Sequence, residues 1–445
     1  MGNILAIFVG MKHIIALAAS LLVFAESSFG GNGTFSFKHI SMQDGLSNNK
    51  VNSVYRDGMG FTWFSTACGL NRYDGYSMTV FLHTDGDSTS LADNTVQWVA
   101  DIADDKMLVR TDHAYSIFDK RKEVFSSADH IFSSAHVMAQ YAVTFADSEG
   151  DIWLSDGTSC SVYSSRRDAL TQRGLSGGSQ AKVSSICEAG GCIYIVHADG
   201  AIGSFVKDAA GSWQRKQVEA TPLGLGDHRI FVDSGGDYWV HQQDRCGLWH
   251  KSAQTGKWEH LTDKNAAPFR MPPFVTRGVV EDACGRIWVA TDHGGINVID
   301  RRQGAMTEVR SHKRQPRSLM SNGISCIYAD KQGCVWVGDV SMGVSLFAEP
   351  MFKFDIDNLN IDDIDPDFVA QVNAIAEDGA GGLWFGTNES GLLRIDVATG
   401  RKRLFRSSAS DTRSLPSDIV VTLCADGRGG LWVGTFLGGL CHYDG

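Results

Sequence analysis

One short turn motif recurs along the chain, and this repeat constrains the fold more than any other feature. The motif is Asp-x-x-Gly-x-x-Trp, and its copies stand 41 to 49 residues apart once two weaker copies, with Leu108 and Tyr194 at the Trp position, are included. The copies with Trp are Asp57–Trp63, Asp147–Trp153, Asp233–Trp239, Asp282–Trp288, Asp330–Trp336, Asp378–Trp384 and Asp426–Trp432. Turn residues between short β-branched and aromatic runs are typical of β-hairpins. A fixed period of this length predicts antiparallel β-blades.

Each repeat contains four short apolar segments, and their order predicts how a ring would close. One strand precedes each motif, a second carries the Trp and a third follows, as in Val280–Asp300. The fourth kind of segment appears first at Phe35–Ile40, before any motif. We therefore predict an all-β chain with a seven-bladed β-propeller of four-stranded antiparallel blades over residues 31–349. Pairing of Phe35–Ile40 with the blade of Ile324–Phe347 would remove two open sheet edges.

The repeat begins again after residue 349. Phe352-Lys353-Phe354 resembles Phe37-Lys38-His39, and two further motifs follow, around Trp384 and Trp432. We interpret residues 350–445 as the first two blades of a second, incomplete β-propeller, since two blades cannot close a ring. The alternative is a single ring of nine blades, which would leave the new first strand unexplained.

The N-terminus has the pattern of a secretory signal peptide. Met11-Lys12-His13 precedes the apolar run Ile14–Ala25, and small residues follow. We predict a signal peptide at residues 1–30, export to the periplasm, and a translation start at either Met1 or Met11. A membrane anchor is the alternative, but it would bury Lys12 in mid-span at high cost.

Composition argues against several classes of protein. The net charge of −11, with both signs interspersed, does not favour a nucleic-acid partner. The ten cysteines lack zinc-binding spacing, so neither a metal nor another cofactor is expected. Cys187 and Cys192 flank a four-residue turn, would lie opposite each other across a hairpin and could form a disulfide, although small packed thiols are the alternative. The aspartate-rich segment Asp355–Asp367 lacks EF-hand spacing and is interpreted as a solvated linker rather than a calcium site.

Several phrases of the sequence carry a resemblance to a known family. They are Phe37-Lys38-His39-Ile40, Asp44-Gly45-Leu46-Ser47-Asn48-Asn49, Thr66-x-x-Gly69-Leu70-Asn71-Arg72-Tyr73-Asp74-Gly75, Trp384-Phe385-Gly386-Thr387 and Trp432-Val433-Gly434-Thr435. The chain resembles the periplasmic sensor region of bacterial hybrid two-component systems, which is built from two-component regulator propeller repeats. The resemblance implies sensing of an oligosaccharide derived from a polysaccharide, and control of glycan-utilisation genes.

The same resemblance implies that a membrane-anchored histidine kinase forms part of the same chain in full-length relatives. This chain ends within the second propeller, so we expect no kinase and no enzymatic activity of its own. A homodimer is one possible assembly, and direct contact of this region with nucleic acid is not expected.

The aspartates and tryptophans of the motif are expected to be scaffold, because turn capping and packing between blades explain every copy. Function is expected on the loop face around the central channel, where the loops depart from the repeat. The candidate ligand-binding residues there are Arg110, Asp112, His113, His197, Arg245, Asp292 and His293. Such side chains could bind sugar hydroxyl and carboxylate groups, although each could also be a solvated loop residue.

Two other functions are left open by the sequence. A polysaccharide lyase or glycoside hydrolase could use the same loop face, but the Asp-His pairs have no Ser or Cys nucleophile turn nearby. The chain could also be a non-functional fragment of a sensor gene.

Overall fold

A computed structural model describes residues 35–444 except 104, 220, 266–268, 314, 350–360, 362–363, 370 and 380. The predicted signal peptide, the segment Phe352-Lys353-Phe354 and most of Asp355–Asp367 lie outside the described residues. The chain divides into two compact units, Met1–Phe352 and Lys353–Gly445, each considered by itself below.

The described residues of the N-terminal unit form seven four-stranded antiparallel sheets, here called blades 1 to 7 in chain order. The strands of blades 1 to 3 are β2 (Val51–Arg56), β3 (Thr62–Thr66), β4 (Gly69–Tyr73) and β5 (Met78–Phe81); β6 (Val96–Ala103), β7 (Lys106–Thr111), β8 (Tyr115–Asp119) and β9 (Val124–Ser127); and β10 (Val143–Ala146), β11 (Asp151–Ser155), β12 (Ser159–Ser164) and β13 (Ala169–Ser176).

The remaining strands of this unit follow the same order, except that blade 7 takes its outer strand from the start of the chain. Blades 4 to 7 contain β14 (Val183–Ala189), β15 (Cys192–His197), β16 (Ile202–Lys207) and β17 (Trp213–Glu219); β18 (His228–Val232), β19 (Tyr238–Gln242), β20 (Leu248–Lys251) and β21 (Trp258–Leu261); β22 (Thr276–Glu281), β23 (Ile287–Thr291), β24 (Gly295–Asp300) and β25 (Ala305–Val309); and β26 (Ile324–Ala329), β27 (Cys334–Asp339), β28 (Val344–Ala348) and β1 (Lys38–Ile40). The described residues of this unit also include the α-helix α1 (Asp129–Ala135) and the 3-10 turns Met42–Asp44 and Ala139–Tyr141.

The blades form a closed ring. Strand β1 pairs antiparallel with β28, with Lys38 opposite Leu346 and Ile40 opposite Val344. Each blade contacts the next through its inner strands, and β2 contacts both β6 and β26. The all-β fold of four-stranded antiparallel blades and the predicted pairing of the first strand are therefore confirmed. This pairing is incompatible with a single ring of nine blades.

The C-terminal unit contains two further sheets within its described residues. Blade 8 consists of β29 (Val372–Glu377), β30 (Gly382–Thr387), β31 (Leu392–Asp396) and β32 (Lys402–Phe405), and blade 9 of β33 (Val420–Ala425), β34 (Leu431–Thr435) and β35 (Gly439–Tyr443). The two blades pack on each other through Trp384, Val420 and Val433, which are buried. No helix in the described part of the chain is long and apolar enough to cross a membrane.

The Asp-x-x-Gly-x-x-Trp turn is a capped hairpin whose Asp also fixes the Trp. In blade 3, one Asp147 oxygen accepts the N–H groups of Glu149 (3.1 Å) and Asp151 (2.9 Å). The other oxygen accepts the indole N–H of Trp153 at 3.0 Å. Gly150 has φ 83°, and a Cβ there would collide with the carbonyl of Ile102, so only glycine fits. The predicted scaffold role of the Asp is confirmed.

The tryptophans pack between neighbouring blades, as predicted, with one exception. Trp63, Trp153, Trp239, Trp288 and Trp384 are among the largest fully buried side chains, and Trp336 is 3% exposed. In blade 6, for example, Trp288 contacts Phe35 and Phe347, with ring centroids 5.1 and 5.0 Å away. Trp432 in blade 9 is instead 44% exposed, since no further blade covers it within the described residues.

The cysteines do not form the disulfide considered from the sequence. All ten are free thiols. In the hairpin of β14 and β15, Cys192 lies opposite Ala189, and Cys187 lies opposite Tyr194. The expectation that the two cysteines face each other directly is wrong, because the turn is tighter than the sequence suggested. Burial raises the pKa of the Cys187 thiol to about 12.

Candidate functional site: a polar channel wall

A β-bulge recurs near the start of five of the seven inner strands, whereas in blades 3 and 5 Thr144 and Arg229 pair directly with Leu154 and His241. In blade 1, Val51 pairs with Thr66 but Ser53 pairs with Ser65, so Asn52 is left without a partner in the ladder. Such a bulge re-aims the side chain of the extra residue. The same shift follows the first residue of the inner strand in blades 2, 4, 6 and 7. The second residues of the seven inner strands are Asn52, Gln97, Thr144, Ser184, Arg229, Arg277 and Ser325, all of which are polar.

These residues line a central channel. Two cavities, of about 620 and about 1040 Å³, are lined mainly by the first half of the inner strands. Both are lined by Asn52, Gln97, Trp98, Arg229 and Gln243, so they form one continuous wall. We call the residues that line either cavity the channel wall.

Part of the wall holds the ring together. The Asn52 amide donates to the carbonyl of Val96 at 2.7 Å, and Val96 is the first residue of the next inner strand. The Ser325 hydroxyl donates to the Val51 carbonyl in the same way. In the C-terminal unit, the Asn373 amide donates to the Val420 carbonyl at 3.0 Å. These side chains therefore have a structural role between blades that satisfies a backbone carbonyl.

Blades 5 and 6 contribute two arginines to the wall. One Nη of Arg229 donates to Asp227 and to the Ser184 carbonyl, both at 2.6 Å, and the other Nη donates to the second Asp227 oxygen at 3.2 Å. One Nη of Arg277 donates to Asp292 at 2.5 Å. Both guanidinium groups are partly exposed, as their position at the channel requires.

His241 lies beside the two arginines on strand β19, directly opposite Arg229 in the ladder. The side chain is buried, and its Nδ1 has no hydrogen-bond partner. Burial, together with the positive charges of Arg229 and Arg277, lowers the pKa of His241 to about 3. The imidazole is therefore neutral at physiological pH.

The channel wall carries more positive than negative side chains, although the whole chain has a net charge of −11. Among the described residues, the lysines and arginines of the wall are Arg110, Lys182, Arg229 and Arg277, and its carboxylates are Asp112 and Asp227. A concave surface of one prevailing sign concentrates ligands of the opposite sign.

Three of the candidate residues predicted from the sequence lie in or beside the wall. Arg110 lines it with its guanidinium 5.8 Å from the ring centroid of Tyr115. Asp112 lines it and accepts a hydrogen bond from Gln97 at 2.5 Å. Asp292 reaches the wall through its ion pair with Arg277.

The other four candidates lie away from the wall. His113 is exposed and bonds Asp93, which raises the pKa of the imidazole. His197 is buried and its Nδ1 contacts the Ala181 carbonyl at 2.8 Å. Arg245 is exposed on the loop after β19. His293, with φ 67°, is exposed with its Nδ1 2.6 Å from Asp292.

Several wall residues escaped the sequence reasoning, because it searched the loops rather than the strands. Gln97, Arg229, Arg277 and His241 all belong to strands. The available signal was a polar residue directly after the first residue of an inner strand, as in Val96-Gln97 and Thr276-Arg277. Within the described residues, no group of three or more His, Cys, Asp or Glu side chains is placed to hold a metal ion.

The closed ring of antiparallel blades around a polar channel defines a β-propeller. A family model, described as "Two component regulator propeller", matches residues 318–341, 369–389 and 414–436. Each matched segment runs from the loop before an inner strand to the second strand of the same blade in blades 7, 8 and 9. The chain therefore carries two-component regulator propeller repeats.

One curated relative and two solved structures extend this finding. The chain is 32% identical over 83 residues to "Histidine kinase P4" of Formosa agariphila, covering 18% of this chain and 6% of the relative. It is similar to the extracellular domain of the putative hybrid two component system BT3049 from B. thetaiotaomicron, with a TM-score of 0.68 and 20% identity. It is also similar to the corresponding domain of BT4673 from the same organism, with a TM-score of 0.54 and 18% identity.

These structural matches establish the fold and its extent. They cover 92% of this chain but 53% and 52% of the solved chains. The chain thus spans about half the length of the solved domains it resembles.

Proposed function

We propose that this chain is an extracytoplasmic ligand-sensing module of a two-component system, and that it recognises a polysaccharide-derived oligosaccharide at the channel wall. The observation that carries the proposal is the combination of two-component regulator propeller repeats with a polar, open channel. The module has no catalytic role of its own in this proposal, and its output is a change in the activity of a kinase.

The chemistry of the wall supports a sugar ligand. Its amides, hydroxyls and guanidinium groups offer the donors and acceptors that sugar hydroxyl groups need. Trp98 lines both cavities and Tyr141, which is exposed, lines the larger one. Such amphipathic rings present a flat apolar face on which a sugar ring could stack, with polar groups beside it. A volume of about 1040 Å³ is sufficient for a short oligosaccharide.

The matched proteins support the cellular setting. The titles of both solved structures describe extracellular domains of two-component systems, and the curated relative is named a histidine kinase. In the proposal, the module lies in the periplasm after removal of residues 1–30, and a membrane-anchored histidine kinase in the same polypeptide receives the signal. Glycan-utilisation genes are the proposed target, and a homodimer is the proposed signalling assembly.

A binding screen tests this proposal. The purified chain is incubated with a panel of neutral and acidic oligosaccharides, and ligand binding is followed by thermal shift and by isothermal titration calorimetry. We expect at least one oligosaccharide to raise the melting temperature without release of new reducing ends. Turnover of a ligand would instead identify a lyase or hydrolase, and an absence of binding across the panel would contradict the sensor proposal.

A matched pair of variants locates the site. Trp98→Ala removes the aromatic side chain that lines both cavities. We expect this change to weaken binding of the oligosaccharide at least tenfold, which corresponds to about 1.4 kcal/mol of binding free energy. Trp432→Ala changes an exposed tryptophan in the C-terminal unit, outside the wall. Equal affinity for the ligand in wild type and Trp98→Ala, with both folded, would place the site elsewhere.

A further inference from the structure

The two arginines of blades 5 and 6 form a distinct part of the wall. Arg229 and Arg277 occupy the same position in neighbouring inner strands, and both line the smaller cavity. His241, from the second strand of blade 5, lines the same cavity. Two guanidinium groups beside a neutral imidazole are thus directed at one space of about 620 Å³.

These arginines differ from the arginines that join blades. Arg301 lies 2.8 Å from Asp233, 3.0 Å from Asp237 and 3.7 Å from Glu281, so three carboxylates surround one guanidinium. Arg229 and Arg277 each have a single carboxylate partner among the described residues, Asp227 and Asp292 respectively. Asp292 is not itself a wall residue. Since a guanidinium has five N–H donors, donors remain on both arginines for a ligand.

We infer that Arg229, Arg277 and His241 form an anion subsite, which selects an oligosaccharide carrying a carboxylate or sulfate group. The inference rests on the proposed function, which it deepens from any oligosaccharide to an acidic one. Arginine recognises planar anions through charge-assisted, often bidentate hydrogen bonds. The His241 ring lines the same cavity and is neutral, so the two guanidinium groups supply the positive charge of the subsite.

The electrostatics around His241 agree with this assignment. After burial, the largest influence on its pKa is the positive charge of Arg229, and Arg277 acts in the same direction. The nearby aspartates are not among the main influences. The two charges that most affect the ring are therefore both positive.

Three related probes separate acidic from neutral recognition. Trigalacturonic acid carries carboxylates, its fully methyl-esterified form has the same sugars without charge, and a sulfated galactose trisaccharide carries a different anion. Affinity is measured by isothermal titration calorimetry with the full chain at 50 and 200 mM salt. We expect the charged probes to bind at least tenfold more tightly than the methyl ester, with affinity falling as salt rises. The comparison between the two charged probes shows which anion the subsite prefers.

Charge-neutralising variants test which residues cause the preference for charged probes. Arg229→Gln and Arg277→Gln should each weaken binding of the preferred charged probe roughly 10- to 100-fold, as expected for loss of a hydrogen bond to a charged group. The affinity for the methyl ester should fall by a clearly smaller factor, because that probe loses only a neutral hydrogen bond. Arg121→Gln, which removes an exposed arginine paired with Asp105, is the matched control and should leave every affinity unchanged. Circular dichroism confirms that each variant is folded.

The outcomes distinguish this inference from the proposed function. Tighter binding of the methyl ester or of neutral oligosaccharides than of both charged probes would overturn the anion subsite and leave the sensor proposal standing. If Arg121→Gln and Arg277→Gln lost equal affinity for the charged probe, the loss would be due to the overall charge of the protein. That result would also overturn the anion subsite. Failure of every oligosaccharide in the wider panel to bind would overturn both.

Discussion

At the scale of single residues, the turn aspartate combines two tasks that usually fall to different side chains. One oxygen caps the turn and the other fixes the orientation of a buried indole, as in Asp147 with Trp153. Burial raises the pKa of Asp147, and the indole and backbone hydrogen bonds oppose that rise. The capping bonds reach two and four residues ahead and the indole bond six, so the two tasks together fix the spacing of the motif.

Replacing this aspartate tests both tasks together. Asp147→Ala removes three hydrogen bonds and leaves a buried indole N–H without a partner, so we expect a loss of about 2–4 kcal/mol in the free energy of unfolding. Asp208→Ala is the control, because Asp208 caps an exposed turn through Ala210 and Ser212 without holding an indole. Urea denaturation measures the free energy of unfolding of both variants. Similar losses for the two variants would show that the indole bond adds nothing.

A second residue-scale prediction concerns His113 and Asp93. The hydrogen bond and charge of Asp93, with a smaller influence of Asp112, raise the pKa of His113, and His113 helps to lower that of Asp93. A raised pKa in the folded state means that the ion pair stabilises the fold below the ordinary pKa of histidine, and that this contribution disappears as pH rises through the raised value. Titration of His113 by NMR should give a pKa above 6.5, and Asp93→Asn should lower it. An unchanged pKa in that variant would contradict the contact.

The roles of Asp and Trp in the turn could be predicted from the sequence, because their function depends on local spacing alone. The channel arginines could not, since Arg229 and Arg277 become neighbours only when blades 5 and 6 pack side by side. The bulge at Arg277 is a property of strand pairing, and an apolar run with one polar residue does not reveal it. His197 shows the opposite error: a polar loop-end residue turned out to be buried against the backbone.

At the scale of elements, equivalent strands in the two blades of the C-terminal unit differ in what covers them. Strands β30 and β34 carry Trp384 and Trp432 at the same repeat position. Trp384 is fully buried against β33 and bonds Asp378 at 2.9 Å, whereas Trp432 is 44% exposed. In blade 9, the Asp426 oxygen that would hold the indole contacts His442 instead, at 2.9 Å. Burial between blades, rather than the motif itself, decides how much each Trp stabilises the protein.

This difference yields a matched pair of substitutions. Trp384→Ala should lower the free energy of unfolding of the C-terminal unit by about 3–5 kcal/mol, as expected for a large buried aromatic side chain. Trp432→Ala should cost less than about 1 kcal/mol, because much of its ring is already in water. Chemical denaturation followed by hydrogen exchange of β29–β35 measures both. A comparable loss in the two variants would show that Trp432 is covered in solution.

At the scale of the whole molecule, the closed ring suggests that the N-terminal unit is an independent domain. We propose that residues 31–349 and 350–445 are separate domains, in keeping with the division of the chain at Phe352–Lys353. A chain that ends at Phe352 should then remain soluble and unfold in one transition, with the same midpoint as the N-terminal unit in the full chain. Differential scanning calorimetry compares the transition of the shortened chain with that of the full chain. Insolubility, or a midpoint lowered by more than a few degrees, would contradict the proposed boundary.

The β1–β28 pairing also determines the order in which the ring can form. Ile40 and Val344 are neighbours in the same sheet although about 300 residues separate them in the chain. Strand β1 therefore cannot pair with β28 until nearly all of the N-terminal unit has been synthesised, and contacts of such sequence separation form slowly. We expect ring closure to be a late and slow step of folding, during which β1 and the outer edge of β28 are open to other strands.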